Sequence, residues 1–382
     1  MDKNINVALI GQAFMGRAHS NAYRQVGRFF DLPLEPVMHA IAGRDATTLV
    51  PFAASQGWNH STTRWRDLVD DPAIGLVDVA TPNNLHRDMS IAFLEAGKHV
   101  ACEKPLASTL DEAREMRNAA KKAKGSKTFV WFNYRRAPAI AMAWQLMREK
   151  RIGKVFHVRA SYLQSWGGPD VPLVWRFQKK HAGTGAHGDL NAHIIDLARF
   201  LVGEEIVEVH GAIERTFIKE RTIPGTKKKG RCNVDDAVLF LASFKGGATA
   251  SFESTRIAGG HLNDNSIEIN GEKGSLRWNF ENMNELWFHD NTDAPREQGW
   301  RRIVATSGDN HPYFHAWWPD GHIVGYEHTF THELADILMV LGRKKPVVPL
   351  PDFEDAYQTQ RVLEAALVSA RNRCAVKMSE VR

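Results

Sequence analysis

Short apolar runs alternate with amphipathic, helix-like segments over the first part of the chain. The first apolar run, residues 5–10, has the length of a strand, and a segment of helical character follows it. The alternation continues to residue 132 and predicts strands at 5–10, 39–42, 75–80, 99–102 and 128–132 and helices at 46–56, 86–96 and 109–124. Strands that alternate with helices are typical of a parallel sheet with right-handed crossovers. The pattern therefore predicts a doubly wound domain.

The pattern changes near residue 153, where strand-like segments joined by glycine-containing turns become frequent. They predict an open, mostly antiparallel sheet built from residues 155–162, 207–213, 237–244, 248–254, 266–270 and 275–280. We expect a helix over 186–202 to cover one face of this sheet. The other face also needs cover, so a homodimer or homotetramer is expected.

These patterns place the chain in the α/β class. We predict an N-terminal Rossmann-type, doubly wound parallel sheet and a C-terminal α+β domain with a large open, mostly antiparallel sheet. A length of 382 residues agrees with more than one core. Further helices are predicted at 328–341 and 352–372. The expected division is a first domain over 1–135, a second over 136–350 and a C-terminal helical segment over 351–382.

Composition and charge exclude several classes of function. Hydrophobic residues make up 43% and charged residues 24% of the chain, as in globular proteins. The net charge of +5 is small, and the one dense basic cluster, 227–229 with Arg231, is interpreted as a solvated loop, so no nucleic-acid partner is expected. The chain has three cysteines, Cys102, Cys232 and Cys374, and their spacing is not that of a disulfide framework or of a metal site. Free cysteines are typical of a protein in a reducing cytosol. We recognise no membrane span or signal peptide and expect a cytoplasmic protein without a membrane partner.

A glycine-containing turn directly follows the first predicted strand. It has the pattern G-x-A-x-x-G and consists of Gly11, Gln12, Ala13, Phe14, Met15 and Gly16. Gly11 permits the tight turn, Gly16 permits close packing of helix on strand, and the helix start offers free N–H groups to a pyrophosphate. Ala13 places a methyl group where the backbone approaches phosphate and weakens the match. The position of the turn nevertheless predicts a dinucleotide site.

The end of the second predicted strand bears on the choice between NAD and NADP. An acid that binds the ribose of NAD is usual there, but this chain has Gly43 followed by Arg44. A cation without the acid favours the 2′-phosphate of NADP. NAD stays open, because Asp45 could reach a ribose hydroxyl and Arg44 could be a solvated surface residue.

Polar segments follow three other predicted strands, at the sheet edge where ligands bind in parallel sheets. They comprise Thr81, Pro82, Asn83, Asn84 and His86; Glu103, Lys104 and Pro105; and Asn133, Tyr134, Arg135 and Arg136. An irregular loop farther on carries Trp166, Trp175 and Arg176. Aromatic faces stack on sugar rings and arginine binds hydroxyls or phosphate; alternatively, these tryptophans pack the loop onto its domain.

Asp189, His193 and Asp196 lie at helical spacing in the predicted helix 186–202 and are expected to share one ridge. A carboxylate and an imidazole held side by side on a rigid element are suited to moving a proton. An apolar stripe beside the ridge would anchor the helix; it consists of Leu190, Ile194, Leu197 and Leu201. The alternative is an aspartate at a helix start with an unrelated histidine.

Histidines recur at metal-ligand spacing between residues 311 and 332. The pairs His311 with His315 and His328 with His332 have a spacing that suggests zinc. The acid of the metalloprotease motif, however, does not follow at the spacing that this motif requires. We expect no metal, and interpret the region as a loop near the substrate followed by a solvated helix start.

Together these motifs resemble the glucose–fructose oxidoreductase/inositol dehydrogenase (Gfo/Idh/MocA) family. The resemblance covers essentially the whole chain and rests on the G-x-A-x-x-G turn, Thr-Pro-Asn-Asn-Leu-His at 81–86, Glu-Lys-Pro at 103–105 and Gly-Asp-Leu-x-x-His-x-x-Asp at 188–196. Three further segments resemble the branch of sugar 3-dehydrogenases that contains levoglucosan dehydrogenase, namely 132–136, 164–166 and 175–178. Ala13 and Gly43 depart from the family pattern, and both bear on cofactor choice.

The resemblance implies an NAD(P)-dependent oxidation of a carbohydrate ring hydroxyl to a ketone, or the reverse, without a metal. It implies that Lys104, Asp189 and His193 form the catalytic group and that the C-terminal helix lies near the domain junction. The implied cofactor site consists of residues 11–16, Gly43, Arg44, Thr81, Pro82, Asn83, Asn84, His86, Glu103, Lys104, Asn133, Trp175 and Arg176. The implied substrate site consists of Lys104, Tyr134, Arg136, Gln164, Trp166, Asp189 and His193.

Two other functions stay open from the sequence. Related proteins cleave glycosides by oxidation, elimination and reduction with a bound, recycling NAD. A catalytically silent nucleotide-binding regulator is the other alternative, and the intact Lys104, Asp189 and His193 argue against it.

Overall fold

The computed structural model describes residues 3–381, and its first sheet lies in the N-terminal part of the chain. The strands of this sheet are β1 (Asn4–Ile10), β2 (Glu35–Ala42), β3 (His60–Thr62), β4 (Ile74–Val79), β5 (His99–Cys102) and β6 (Thr128–Val130). They lie side by side in the order β3-β2-β1-β4-β5-β6, and all their pairings are parallel. The predicted doubly wound sheet is confirmed.

Helices connect and cover the strands. They are α1 (Phe14–Phe29), α2 (Ala46–Gln56), α3 (His86–Glu95), α4 (Leu110–Lys122), α5 (Pro138–Arg148), α6 (Lys179–Ala182), α7 (Ala192–Val202), α8 (Tyr326–Leu341) and α9 (Phe353–Asn372). A π-helix, His187–Asn191, leads into α7. Short 3₁₀ helices occupy Trp65–Leu68, Asn83–Leu85, Asn133–Arg136, Trp175–Phe177, Phe280–Asn282 and Phe314–Ala316.

Both faces of the first sheet are covered, which explains why its strands are continuously apolar. On β1, Val7 and Leu9 belong to a core that α1 and α8 share, whereas Ala8 and Ile10 belong to the core on the side of α3 and α4. Because α8 packs against α1, the first sheet is covered by residues from distant parts of the chain. The division of the chain at residues 135 and 350 stays a prediction.

The second sheet is larger and mixed. Its strands are β7 (Val155–Leu163), β8 (Ile206–Arg215), β11 (Ala237–Phe244), β12 (Thr249–Thr255), β13 (Asp264–Gly271), β14 (Gly274–Asn279), β15 (Glu285–Asp290), β16 (Arg301–Val304) and β17 (Val376–Lys377), and a separate hairpin pairs β9 (Glu220–Thr222) with β10 (Lys229–Arg231). Their order is β16-β15-β14-β13-β7-β12-β11-β8-β17, antiparallel except where β7 meets β12. The open, mostly antiparallel sheet is confirmed.

Several elements were not predicted from the sequence, among them β3, β15, β16 and α5. The basic cluster was interpreted as a solvated loop. Lys229 and Arg231 are exposed as expected, but they belong to strand β10 and not to a loop. The prediction of one apolar stripe on α7 is too narrow. Residues 192–201 are all buried, because α7 lies between the second sheet and the helices α5 and α9.

Among residues 3–381, no helix combines the length and the apolar character that crossing a bilayer requires. The same residues contain no group of three or more histidine, cysteine, aspartate or glutamate side chains arranged to hold a metal ion.

Candidate active site

A cleft of about 760 Å³ lies between the carboxyl ends of the first sheet and the second sheet. It gathers most of the site residues that the sequence predicts, although they come from distant segments. Those that line it are Ala13, Phe14, Met15, Thr81, Pro82, Asn83, Glu103, Lys104, Asn133, Tyr134, Gln164, Trp166, Trp175, Arg176, Asp189 and His193. The carboxyl ends of parallel strands meet at one edge, which explains how the first of these segments converge.

The glycine-containing turn enters the cleft from β1. Gly11 has φ +126°, and a Cβ atom there would lie 2.4 Å from the carbonyl oxygen of Ala80. A Cβ atom at Gly16 would lie 2.3 Å from the carbonyl oxygen of Gly11. Helix α1 then begins without a side-chain cap on its first N–H groups. The turn therefore presents uncapped backbone donors where an anion can approach.

Gln12 takes a position at the end of β2 instead of lining the cleft. Its Nε2 donates to Thr48 Oγ1 at 2.8 Å, and a Cβ atom at Gly43 would lie 1.8 Å from its Oε1. Gly43 is thus required for this packing. Arg44 is exposed, and Asp45 caps α2 by accepting the Thr47 N–H at 3.0 Å. The Asp45 carboxylate, which the sequence suggested for a ribose hydroxyl, is therefore hydrogen-bonded to the first turn of its own helix.

Asp189 joins two cations at the centre of the cleft. Its Oδ1 lies 2.8 Å from Lys104 Nζ, and its Oδ2 lies 2.8 Å from Arg256 Nη2. Burial opposes ionisation of Asp189, but the charges of Lys104 and Arg256 hold its pKa well below the usual value. The π-helix widens the turn that carries Asp189, so this residue and His193 do not follow regular α-helical spacing.

His193 lies in an aromatic surround beside this ion pair. Its ring centroid is 4.6 Å from that of Tyr134, 5.8 Å from Tyr162 and 6.2 Å from Phe132. Burial, and next the positive charge of Lys104, lower the pKa of His193 well below 6.5. The imidazole is therefore neutral near pH 7 and has a nitrogen lone pair that can accept a proton.

A chain of hydrogen bonds runs along one wall of the cleft, from Tyr134 to Trp166. The Tyr134 and Tyr162 hydroxyls lie 2.7 Å apart, and Tyr162 donates to Asn263 Oδ1 at 2.7 Å. Gln164 Nε2 donates to the same oxygen at 2.7 Å, and Trp166 Nε1 donates to Gln164 Oε1 at 2.6 Å. These groups give the wall a row of hydroxyl and amide partners for a polyhydroxylated ligand.

Besides Gln12, Gly43 and Arg44 at the end of β2, four predicted residues lie outside the cleft. Arg136 is fully buried and donates from Nε to Asp336 Oδ2 at 3.2 Å, so its assignment to the substrate site is wrong. His86 is buried, and its ring nitrogens contact the carbonyl oxygens of Thr81 and Pro105, so it supports the strand-end loops and does not line the cleft. Asn84 faces a separate cavity.

Asp196 is the fourth. It forms a buried ion pair with Arg135, so the predicted ridge of three polar residues is wrong at its last member. His193 and Asp196 both lie in α7, after the π-helix, but His193 lines the cleft whereas the Arg135 guanidinium holds Asp196 in the interior.

The histidine-rich region is not a solvated helix start. His332 is fully buried, and its Nε2 accepts a hydrogen bond from Trp317 Nε1 at 2.7 Å. His311 is also buried, and its ring packs against that of His332 with centroids 5.1 Å apart and an angle of 51° between the ring planes. These side chains pack the segment 305–325 onto α8, and they do not line the cleft.

Several cleft residues escaped the sequence analysis. They are Tyr162, Leu190, Leu262, Asn263, Phe280 and Tyr326, with Ala80 and Val174. Arg256 was also missed: it does not line the cleft, but it holds Asp189, which does. Several of these residues belong to the second sheet or to loops at its edge, where no local motif marks them. Tyr162 lay within a predicted strand, but its direction toward the cleft depends on the tertiary structure.

Comparison with known proteins agrees with this architecture. A family model described as an oxidoreductase family with an NAD-binding Rossmann fold matches residues 5–131, and one described as the GFO/IDH/MocA C-terminal domain matches residues 140–277. The chain therefore belongs to the Gfo/Idh/MocA family of oxidoreductases.

Individual relatives match the chain along nearly its whole length. Levoglucosan dehydrogenase from Pseudarthrobacter phenanthrenivorans is 39% identical, over 99% of this chain and 99% of its own. An oxidoreductase domain protein from Kribbella flavida has a solved structure at 49% identity and a TM-score of 0.94, covering 99% of this chain and 100% of that one. A levoglucosan dehydrogenase in complex with NADH and levoglucosan is 40% identical, with a TM-score of 0.93 and coverage of 99% and 100%.

Proposed function

We propose that this member of the Gfo/Idh/MocA family is an NAD(P)-dependent dehydrogenase of carbohydrates. It would transfer a hydride between the nicotinamide and a ring secondary hydroxyl or ketone of a sugar, glycoside, anhydrosugar or cyclitol. The observation that carries the proposal is the convergence of Lys104, Asp189 and His193 on one cleft beside the dinucleotide turn. The likeness to levoglucosan dehydrogenase supports an anhydrosugar as the first substrate to test.

The residues present fit a nicotinamide dinucleotide. A Cβ atom would collide with backbone at both Gly11 and Gly16, and α1 begins with uncapped N–H groups, so this turn suits a pyrophosphate. Thr81, Asn83 and Glu103 continue the same wall toward the cleft. When bound, the nicotinamide supplies the hydride acceptor or donor.

Three side chains of the cleft would accept the proton, stabilise the developing charge and orient the charged group, namely His193, Lys104 and Asp189. Oxidation of an alcohol requires removal of the hydroxyl proton, and the neutral imidazole of His193 can accept it. Lys104 can donate a hydrogen bond to the same oxygen and stabilise its developing negative charge. Asp189 holds Lys104 Nζ at 2.8 Å and so orients the ammonium group. Arg256, bound to the other oxygen of Asp189, fixes that carboxylate in turn.

A panel experiment tests the proposal. Inositols, monosaccharides, anhydrosugars and glycosides are each offered with NAD and with NADP, and reduced cofactor is followed by its absorbance. We expect net reduced cofactor with at least one compound, and levoglucosan is the first candidate. No reduction with any compound of the panel would refute the proposal.

Cofactor choice gives a separate prediction. Because Gly43 stands in place of the acid and Arg44 is exposed beside it, we expect measurable NADP binding, with NAD also accepted. Both cofactors are titrated by quenching of tryptophan fluorescence. Arg44→Ala is the matched variant and should weaken NADP but not NAD. NADP binding to the wild type more than about 100-fold weaker than NAD binding, roughly 2.7 kcal/mol, would contradict the arginine argument.

Assembly gives another prediction. The face of the second sheet turned away from α7 exposes Ile213, Leu239 and Leu241, with Leu241 57% exposed, and Ile213 pairs with Leu239 across neighbouring strands. We propose that this face packs against a second copy in a homodimer or homotetramer. Light scattering should show a multiple of the 42.9 kDa chain, and Leu241→Arg should shift it toward the monomer. A monomer at micromolar concentration of the wild type would contradict the proposal.

We also propose a cytoplasmic location. Cys102, Cys232 and Cys374 are all free, and the first two are buried. Free thiols in the core are typical of a reducing compartment. Fractionation of cells that express the tagged protein tests this, and recovery outside the cytoplasm would contradict it.

A further inference from the structure

His19, on α1, is completely buried between two carboxylates and has no role in the mechanism proposed above. Its Nδ1 lies 2.9 Å from Asp78 Oδ2, and its Nε2 lies 3.0 Å from Glu103 Oε1. The rings of Trp131 and Phe330 pack on it, with centroids 4.4 and 5.3 Å away. Both nitrogens of His19 therefore face acid side chains in a site closed to water.

The remaining contacts of the two carboxylates determine which groups donate. Asp78 Oδ2 also accepts from Tyr23 Oη at 3.1 Å, and Glu103 Oε2 accepts the backbone N–H of Lys104 at 3.0 Å. With both carboxylates as acceptors, both nitrogens of His19 donate, which makes the ring an imidazolium. Burial opposes this charge, but Asp78 and Glu103 outweigh it and raise the pKa of His19 to about 10.

Glu103 connects this buried cation to the cleft. One oxygen of Glu103 contacts His19, and the other holds the backbone N–H of Lys104. The Lys104 side chain then extends to Asp189 at 2.8 Å. Without the imidazolium, Glu103 would be buried near Asp78 with no cation between the two acids, and such a carboxylate moves toward water or takes up a proton. Either change would release the backbone of Lys104.

We propose that His19 is a positioning residue whose imidazolium, anchored by Asp78, fixes Glu103 and through it the backbone that presents Lys104 to the reacting oxygen. The inference rests on the proposed function, because it concerns the rate of that reaction. It also predicts that His19 is positively charged in the protein without any ligand.

The kinetic test compares two substitutions in the same buried cluster. His19→Asn breaks the contact with Glu103 and is expected to lower kcat about 10- to 100-fold, since small displacements of a reacting group have effects of this size. Tyr23→Phe is the matched control: Tyr23 is buried in the same cluster, and its loss removes a hydrogen bond to Asp78 but leaves both acids and the contact between His19 and Glu103 in place. It should lower the melting temperature and change kcat by less than about fivefold. NAD affinity should stay within about threefold of wild type in both.

Equal losses of kcat in the two variants, measured on folded protein, would show that the cluster is merely structural and would overturn the inference. If His19→Asn does not fold, the double variant His19→Asn/Asp78→Asn removes one charge of each sign and carries the same test. Its kcat should then fall about 10- to 100-fold. A kcat within about threefold of wild type in that double variant would also overturn the inference.

A second measurement does not depend on activity. In the cofactor-free protein with ¹⁵N-labelled histidine, the imidazole signals of His19, assigned by their loss in His19→Asn or in the double variant, should show both ring nitrogens protonated at neutral pH. A neutral ring would overturn the inference. A wild-type protein inactive toward every sugar refutes the proposed function while this charge is still measured, whereas an active His19→Asn refutes only the positioning role.

Discussion

His193→Ala is expected to lower turnover by about 10²–10⁴-fold while leaving cofactor affinity within about threefold of wild type. His193 provides a neutral imidazole in the cleft, and burial together with the charge of Lys104 keeps its pKa well below 6.5. Removing this imidazole leaves the hydroxyl proton without an acceptor, but it leaves the dinucleotide turn at residues 11–16 intact. Turnover is measured with the best substrate of the panel, and affinity by fluorescence titration.

His332→Ala is the matched control for this variant. His332 is also a fully buried histidine, but it packs against Trp317 outside the cleft. Its loss should lower the melting temperature and leave turnover of the folded protein near that of wild type. A His193→Ala enzyme within about threefold of wild-type turnover would show that His193 is structural.

Lys104→Ala is expected to lower turnover by about 10²–10³-fold, the usual effect of removing a donor that stabilises a developing oxyanion. Asp189 retains Arg256 as a partner at 2.8 Å, so the π-helix should keep its place and the loss should be chemical. In the double variant with His193→Ala, the loss should fall short of the product of the single losses, because both residues act on one oxygen. Asp189→Ala removes the acceptor that orients the Lys104 ammonium, so it should lower kcat as well as weaken or misorient substrate binding.

Lys98→Ala controls for the removal of a buried lysine. Lys98 Nζ donates to the carbonyl oxygens of Asp71 and Ile74, at the end of β5 opposite to Glu103 and Lys104, and Lys98 does not line the cleft. This variant should lose stability and keep turnover. A Lys104→Ala enzyme with unchanged kcat and altered stability alone would contradict the role assigned to Lys104.

Local patterns predicted the parts of the fold in which sequence neighbours determine the structure. The turn from Gly11 to Gly16 was predictable because its backbone conformation and close contacts leave room for no side chain at the two glycines. The parallel strands were predictable because both faces of their sheet are buried and the runs are apolar throughout. Their carboxyl ends then placed Thr81, Glu103 and Lys104 at one edge.

Tertiary contacts account for the failures. Arg136 and Asp196 looked like site residues, but Asp336 and Arg135 neutralise them in the interior, and no local pattern reveals such partners. Arg256 reaches Asp189 from the end of β12, sixty-seven residues away. The π-helix at residues 187–191 changes the direction of Asp189, and a strict helical repeat misses that change.

The central claim is that the protein oxidises a ring hydroxyl with net reduction of its cofactor, and a stoichiometric measurement tests it most directly. Purified enzyme is incubated with NAD or NADP and either levoglucosan or an aryl glycoside, and reduced cofactor, keto-sugar and released aglycone are quantified together. We predict reduced cofactor and keto-sugar in equal amounts, with both lost in His193→Ala. Release of aglycone without net reduced cofactor would contradict the claim and would identify an oxidation–elimination glycosidase instead.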